Sequence, residues 1–330
     1  MKIGIVGVSG YGGSELLRLC AGHPAFEIAY VGGESTAGQA LAQRFPALGA
    51  HPAGKLVIQP FAPEKVSGVE LLFVSLPTGK SREPLARVPG NVKVVDVGGD
   101  HRFVEGWTYG LTELPGQRDR IRGASRLANP GCYPAAALLA LAPLVKEGLV
   151  EPEGIVIDAK SGITGTGRGG ASDYGYAETN EDVFAYGLEA HPHVPEMEQA
   201  LAQVGGKRAS IAFTPHLVPM TRGILATCYA RPKGGAGAKR LVEAAEACYR
   251  SEPFVRVLPL DKGRSAHTGW TTGSNLAFLS YAVNTRTGLV VAIGAIDNLG
   301  KGASAQAVQN ANLMTGQAET AGLAGLPLWP

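Results

Sequence analysis

The chain has 330 residues and a formal net charge of +2, with 45% hydrophobic and 18% charged residues. A length of this size suits two domains of roughly 100–200 residues each, and the apolar content excludes a disordered chain. The near-neutral charge gives no field for non-specific nucleic-acid binding, and no run of about 18 uncharged apolar residues is present to span a membrane.

The first elements form a βαβ unit. Lys2–Val6 is a short apolar run, as expected for a parallel strand buried on both faces. It enters a glycine turn, Gly7-Val-Ser-Gly10-Tyr-Gly-Gly13, and then Ser14–Cys20 carries apolar residues at helical spacing. His23-Pro24 closes that helix, because the residue before proline disfavours helix. Phe26–Val31 reads as the second strand, and Val69–Ser75 and Val92–Val97 as further strands ending at polar or Gly-rich corners. Ligands of doubly wound sheets sit outside such carboxyl ends. Ala135–Ala142 is a strong helix by propensity. From Gly154 the texture changes to strands at 155–160, 211–213, 223–231, 276–284 and 289–296, with helices near 196–204 and 238–250. This pattern predicts an α+β second domain on a mixed or antiparallel sheet. A last helix over 302–314 is expected to return to the first domain. The expected fold is an α/β Rossmann-like dinucleotide-binding domain plus an α+β catalytic and oligomerisation domain with a mixed sheet. The expected division is 1–145 with 300–330, and 146–299.

Unpaired N–H groups at a helix start carry partial positive charge and can hold a phosphate, and glycine lets a ligand approach them. Gly7, Gly10 and Gly13, with Gly12 added, give the spacing G-x-x-G-x-x-G rather than the usual G-x-G-x-x-G. The competing reading is a tight βα turn without a ligand. After the second strand the chain reads Gly32-Gly-Glu-Ser-Thr36. Glu34 points to NAD, whereas Ser35 and Thr36 suit a 2′-phosphate, so residue chemistry alone leaves NAD and NADP open.

Four cysteines, Cys20, Cys132, Cys228 and Cys248, are scattered with no C-x-x-C pair. No disulfide scaffold and no metal site is expected, and a reducing, cytoplasmic compartment fits. The first residues lack the features of a secretion signal. Cys132 stands apart, in Asn129-Pro-Gly-Cys-Tyr-Pro just before the Ala/Leu helix. A thiol at a helix N-terminus has a lowered pKa, and the thiolate is the nucleophile. The other three sit inside apolar patterns and read as small core residues. A thiolate needs a proton-transfer partner, and His191-Pro-His193-Val-Pro-Glu196 places two histidines beside an acid. A metal site or a helix cap are the competing readings there. The Ser161–Gly170 run with Arg168, Asp100-His-Arg102 and Thr221-Arg222-Gly223 offer donors for an anionic substrate.

Together these segments resemble the N-acetyl-γ-glutamyl-phosphate reductases, of the aspartate-semialdehyde dehydrogenase superfamily. The resemblance is carried above all by Ala128-Asn-Pro-Gly-Cys-Tyr-Pro134, Ser161-Gly-Ile-Thr-Gly-Thr-Gly-Arg168, Phe213-Thr-Pro-His-Leu-Val-Pro-Met220 and Ala295-Ile-Asp-Asn-Leu-Gly-Lys-Gly302. It implies NADPH-dependent reduction of an acyl phosphate through a thioester on Cys132, with His191 or His193 handling the proton. It implies cofactor contacts from Gly7, Ser9, Gly10, Tyr11, Gly12, Gly13, Ser35, Thr36, Pro77, Ser161, Gly162, Asn298, Lys301, Gly302 and Asn310. Substrate contacts are expected from Arg102, Asn129, Arg168, Glu196 and Arg222. A homodimer or homotetramer acting on a small molecule, without nucleic acid or membrane, is also implied.

Three positions depart from the family pattern: Pro192 where Arg is frequent between the histidines, Ala135 where Thr is usual, and Gly32-Gly33-Glu34 where many members have Thr-Ser-Arg. Aspartyl or aminoadipyl phosphate as substrate, and a non-catalytic nucleotide-sensing protein, are the alternatives.

Overall fold

The computed structural model describes residues 1–66, 68–169, 175–260 and 264–328. The chain divides into two compact units, Met1–Thr112 with Gly116–Pro130 and Ala303–Ala324, and Glu113–Pro115 with Gly131–Gly302 and Gly325–Pro330.

The first unit is built on β1 (Lys2–Val6), β2 (Glu27–Gly32), β3 (Leu71–Val74), β4 (Lys93–Asp96), β5 (Thr108–Tyr109) and β6 (Arg126–Ala128). Among the described residues they form one sheet in the order β2-β1-β3-β4-β6-β5, with every pairing parallel. β3 is buried at all four positions, which explains why Leu71–Val74 reads as an unbroken apolar run. The strand order reverses at β1, and a crevice for a ligand lies at the carboxyl end of such a switch point. Its helices are α1 (Tyr11–Ala21), α2 (Leu41–Arg44), α3 (Arg82–Ala86) and α4 (Gln117–Arg122).

α1 starts three residues earlier than the periodicity predicts, and its first turn holds Gly12 and Gly13. Glycine is a poor helix former, so packing must demand it here. A Cβ on Gly13 would lie 2.0 Å from the Gly7 carbonyl oxygen, and one on Gly12 would lie 2.6 Å from Ser75 Oγ. Gly7 itself has φ +80°, and a Cβ there would fall 2.1 Å from the Ser75 carbonyl oxygen.

The second unit contains α5 (Cys132–Lys146), β7 (Ile155–Gly162), α6 (Tyr176–Thr179), β8 (Phe184–Ala185), α7 (His193–Gly205), β9 (Ile211–Val218), β10 (Ile224–Ala230), α8 (Ala238–Tyr249), β11 (Val255–Val257), β12 (Ala277–Val283) and β13 (Val290–Ile296). Its described strands form a mixed sheet in the order β11-β12-β13-β10-β7-β9-β8. α5 packs on β10, β13, α7 and α8. It therefore belongs to this unit, whereas the sequence division placed it in the first. The reason is its composition: thirteen of its residues, Tyr133–Val145, are buried, so it is a central core helix with little polar face to offer solvent. Alternate residues of β7, β9 and β10, among them Val156, Asp158, Lys160, Thr214, His216, Thr227 and Tyr229, remain partly exposed.

The last helix, α9 (Ala305–Met314), returns to the first unit and packs on α1 and α4. A π-turn over Gly300–Ser304 precedes it, where the sequence pattern suggests one continuous helix.

Candidate active site

In the first unit the glycine turn places the N-terminus of α1 at the end of β1. Gly10 is the N-cap, no side chain caps it, and no acid occupies the first turn. The close approaches at Gly7, Gly12 and Gly13 are to Ser75 and to Gly7 itself, so these glycines let the turn pack against the end of β3, and the uncapped helix start beside them suits an anion such as a pyrophosphate. Ser9 Oγ and Thr36 Oγ1 hydrogen-bond each other, and Ser35 is exposed beside them in sequence. Glu34 Oε1 accepts a hydrogen bond from the Phe61 N–H at 3.1 Å. Pro77 is exposed just beyond β3.

At the end of β4 sits a buried polar cluster that sequence reasoning missed. Asp96 accepts from Ser81 Oγ at 2.9 Å and the Gly98 N–H at 2.9 Å, and lies 2.6 Å from His101 Nδ1. His101 stacks on Trp107 with ring centres 3.8 Å apart. These bonds fix the loop carrying Arg102, whose Nε donates to the Asn129 carbonyl at 3.0 Å.

Asn129 and Asn310, expected at the substrate and the cofactor, are both fully buried and bonded to each other. Asn310 Nδ2 donates to the Gly110 carbonyl and Asn129 Oδ1, while its Oδ1 accepts from Thr112 Oγ1 and Gln306 Nε2. An amide side chain has two N–H donors and two acceptor lone pairs, so Asn310 has no polar position left for a cofactor.

In the second unit Cys132 is the first residue of α5, with Gly131 as N-cap. Its side chain is partly exposed, while Cys20 and Cys228 are buried and Cys248 is half-buried, with burial pushing all three thiols up from their ordinary values. Glu196 Oε1, near the start of α7, accepts from the Gly131 N–H at 2.8 Å. This acid, expected at the substrate, thus anchors the peptide that leads into Cys132.

Next to Cys132, Tyr133 is buried and donates to the His216 carbonyl at 3.2 Å, and Tyr186 donates to the Tyr133 hydroxyl at 3.1 Å. Burial, reinforced by Tyr186, raises the Tyr133 phenol well above its usual value, so it stays protonated. The His191 and His193 rings each lie 6.0 Å from the Tyr133 ring, centre to centre, and 4.8 Å from one another. Both histidines are therefore brought to the start of α5. The His193 N–H donates to His191 Nδ1 at 3.2 Å, and burial lowers the His191 pKa. Neutral His191 accordingly carries its proton on Nε2.

Three distant segments meet one another, and one of them reaches Cys132. A Cβ on Gly302 would lie 2.9 Å from Cys132 Cβ, so glycine is required where the π-turn meets the cysteine. Asp297 is buried and accepts from the Gly273, Leu299 and Gly300 N–H groups, and it pairs with Arg222 Nε at 2.9 Å. Asn298 Nδ2 donates to Thr164 Oγ1 and its Oδ1 accepts from the Gly223 N–H, tying the 161–168 run to the 221–223 turn. Gly162 packs on the Met220–Arg222 main chain, and Ser161 Oγ donates to the Gly162 carbonyl. Arg168 is exposed at the outer end of that run, and Gly170 lies outside the described residues. Lys301, expected at the cofactor, is wholly buried, pairs with Glu113, and has its ammonium 5.6 Å from the Phe254 ring centre.

A partly exposed cysteine at the head of a core helix with two histidines near it, and a glycine turn at an uncapped helix start in the other unit, fit a dinucleotide-linked enzyme. Residues 2–124 match the semialdehyde dehydrogenase NAD binding domain, and residues 132–298 match the semialdehyde dehydrogenase dimerisation domain. Solved structures of aspartate semialdehyde dehydrogenases from Francisella tularensis and, with NADP, from Candida albicans share the fold. Their TM-scores are 0.75 and 0.74 at 14% identity, covering 96% and 95% of this chain and 100% and 98% of theirs. N-acetyl-γ-glutamyl-phosphate reductases of Bradyrhizobium sp. (strain ORS 278) and Methylobacterium sp. (strain 4-46) are each 55% identical, over 100% of this chain and 99% of the relative. That of Brevibacillus brevis is 42% identical over the full length of both chains. The chain belongs to the N-acetyl-γ-glutamyl-phosphate reductase family, within the semialdehyde dehydrogenases.

Proposed function

We propose that the protein reduces N-acetyl-L-glutamyl 5-phosphate to the 5-semialdehyde and phosphate, with NADPH as donor. The observation that carries this reading is full-length identity of 55% to reductases of that name, in a chain whose Cys132 opens α5 partly exposed.

Cys132 Sγ attacks the acyl carbon, the acyl–oxygen bond breaks, and phosphate leaves behind a thioester. A nicotinamide dinucleotide, held through its pyrophosphate at the Gly7–Gly13 turn and the start of α1, would supply the hydride that the thioester carbon needs. The resulting alkoxide collapses to aldehyde and restores the thiolate. Pro134 has no N–H, and the Ala135 N–H already bonds the Gly131 carbonyl at 2.9 Å. The start of α5, where main-chain N–H groups gather, is the place that would serve the oxyanion. His191, neutral and with Nδ1 engaged, offers Nε2–H as a further donor. Proton exchange falls to His193. In the second unit Arg168 and Arg222 offer guanidinium groups for the substrate's carboxylate and phosphate, with Arg222 oriented by Asp297, and in the first unit Arg102 offers another.

NADP is favoured over NAD because the Phe61 N–H holds one oxygen of Glu34, while the exposed Ser35 hydroxyl and the one hydroxyl hydrogen that the Ser9–Thr36 pair does not use can donate to a 2′-phosphate. The partly exposed face of the second-unit sheet supports a homodimer or homotetramer. No helix among the described residues is long and apolar enough to cross a membrane, and the free cysteines support a cytoplasmic setting.

The test is phosphate-dependent oxidation of N-acetylglutamate, aspartate and aminoadipate semialdehydes, each with NADP and NAD. The expected result is kcat/KM for the first with NADP at least about 100-fold above the rest, an energy difference of roughly 2.7 kcal/mol. Equal or better turnover of another semialdehyde would reassign the substrate, and no turnover of any would return the chain to a nucleotide-binding role.

The histidine roles separate by the size of the effect. His193→Asn is expected to lower kcat by about 10²-fold or more, and His191→Asn by about tenfold. A larger loss in His191→Asn than in His193→Asn would reverse the two assignments.

A further inference from the structure

We propose that Asn310 is a positioning residue for the reaction: it fixes Asn129, the residue from which the chain runs through Pro130 and Gly131 to the nucleophile. Three observations carry this. First, Asn310 is fully buried, and all four of its amide positions are filled by Gly110, Thr112, Asn129 and Gln306. Second, the fit is tight enough to dictate sequence elsewhere. A Cβ on Gly110 would lie 2.6 Å from Asn310 Nδ2, so that amide can reach the Gly110 carbonyl only past a glycine. Third, Asn129 is held at each end of its own polar inventory. Its N–H donates to the Asp96 carbonyl, its carbonyl accepts from Arg102 Nε, its Nδ2 donates to the Ala303 carbonyl, and its Oδ1 accepts from Asn310.

Such saturation fits a locked joint. Pro130 then fixes the next φ, and Glu196 holds the Gly131 N–H. Asn129, from which the chain leads to Cys132, is thereby held in place before any substrate arrives. Catalysis by a positioned nucleophile is sensitive to displacements near 1 Å, which can cost about 10²-fold in rate. Asn310 touches neither the sulfur nor a substrate in this scheme; it acts through Asn129.

The inference rests on the proposed activity for its main readout, so a second readout is independent of turnover. Asn310→Ala, the isosteric Asn310→Asp, Asn129→Ala and the Asn129→Ala/Asn310→Ala double variant are compared with the parent protein. The measurements are kcat per titratable Cys132 thiol at saturating cofactor, the NADPH Kd, and the rate of Cys132 alkylation by iodoacetamide. The expected result is a loss of kcat of about 10- to 100-fold in each Asn310 variant, with the NADPH Kd within about threefold of the parent. The double variant should fall within about threefold of the worse single, because both substitutions break one joint.

Asn310→Asp keeps the volume and the two acceptors but loses the N–H bonds to Gly110 and Asn129, so it carries the test if the alanine variant does not fold. Three results would overturn the proposal: parental kcat per thiol in a variant that merely melts earlier, a weakened NADPH Kd with parental kcat at saturation, or losses that multiply in the double variant. If the parent turns over none of the three semialdehydes, the proposed activity has failed. The alkylation rates then decide alone, with a non-additive change of about tenfold or more supporting the joint and parental rates refuting it.

Discussion

Cys132→Ser is expected to lower phosphate-dependent turnover by roughly 10³-fold or more, while the NADPH Kd stays near its parental value. A thiolate is a strong nucleophile and a tolerable leaving group, whereas a serine hydroxyl needs a general base to become a nucleophile. The substitution leaves volume and α5 almost unchanged, so the loss is chemical. Intact-mass measurement after mixing with acyl phosphate, without reduced cofactor, should show an acyl adduct on the parent and none on the variant. Cys248→Ser is the control. Its thiol lies half-buried on α8 and is pushed up by burial, so it should leave both readouts untouched. Parental turnover in Cys132→Ser would remove the nucleophile from the mechanism.

Lys301→Met is expected to cost about 3–5 kcal/mol, because it leaves the Glu113 carboxylate buried with its cation gone. Both side chains have 0% exposure, so water cannot compensate. For a unit of this size that corresponds to a melting temperature lower by on the order of 10 °C. The Lys301→Met/Glu113→Gln double variant should recover much of the loss, since no lone carboxylate then needs solvation. Differential scanning calorimetry of the three proteins decides this. A single variant as stable as the parent would mean the pair is solvated in solution.

The parts of the site that were legible in sequence share one property: their signal is local. The start of α5 at Cys132 follows from Pro and Gly ahead of an Ala/Leu run, and the glycine turn follows from the strand and helix that flank it. The two histidines are legible because they sit two residues apart in one helix-start motif. What was missed or placed wrongly depends on partners far along the chain. Asn310 bonds residues 181 and 200 positions away, and Lys301 pairs across 188, distances at which periodicity carries no information. By residue type and family resemblance both polar side chains suit a cofactor, yet folding spends their polar atoms inside the protein. Likewise, the apolar texture of α5 announces a helix but not which sheet it covers. The short strands β5, β6, β8 and β11 have two or three residues each, too few for an alternation to register.

The return of α9 to the first unit orders events on the ribosome. Ser304 Oγ donates to the Gly12 carbonyl, Asn312 Oδ1 bonds His23 Nε2, and α9 lies along α1 and α4. Translation makes the surfaces of α1 and α4 first and the helix that covers them last, after the whole 131–302 stretch has emerged. The half of the molecule that is begun earliest is thus finished latest, and its apolar flank must wait uncovered for most of the time the chain takes to be made.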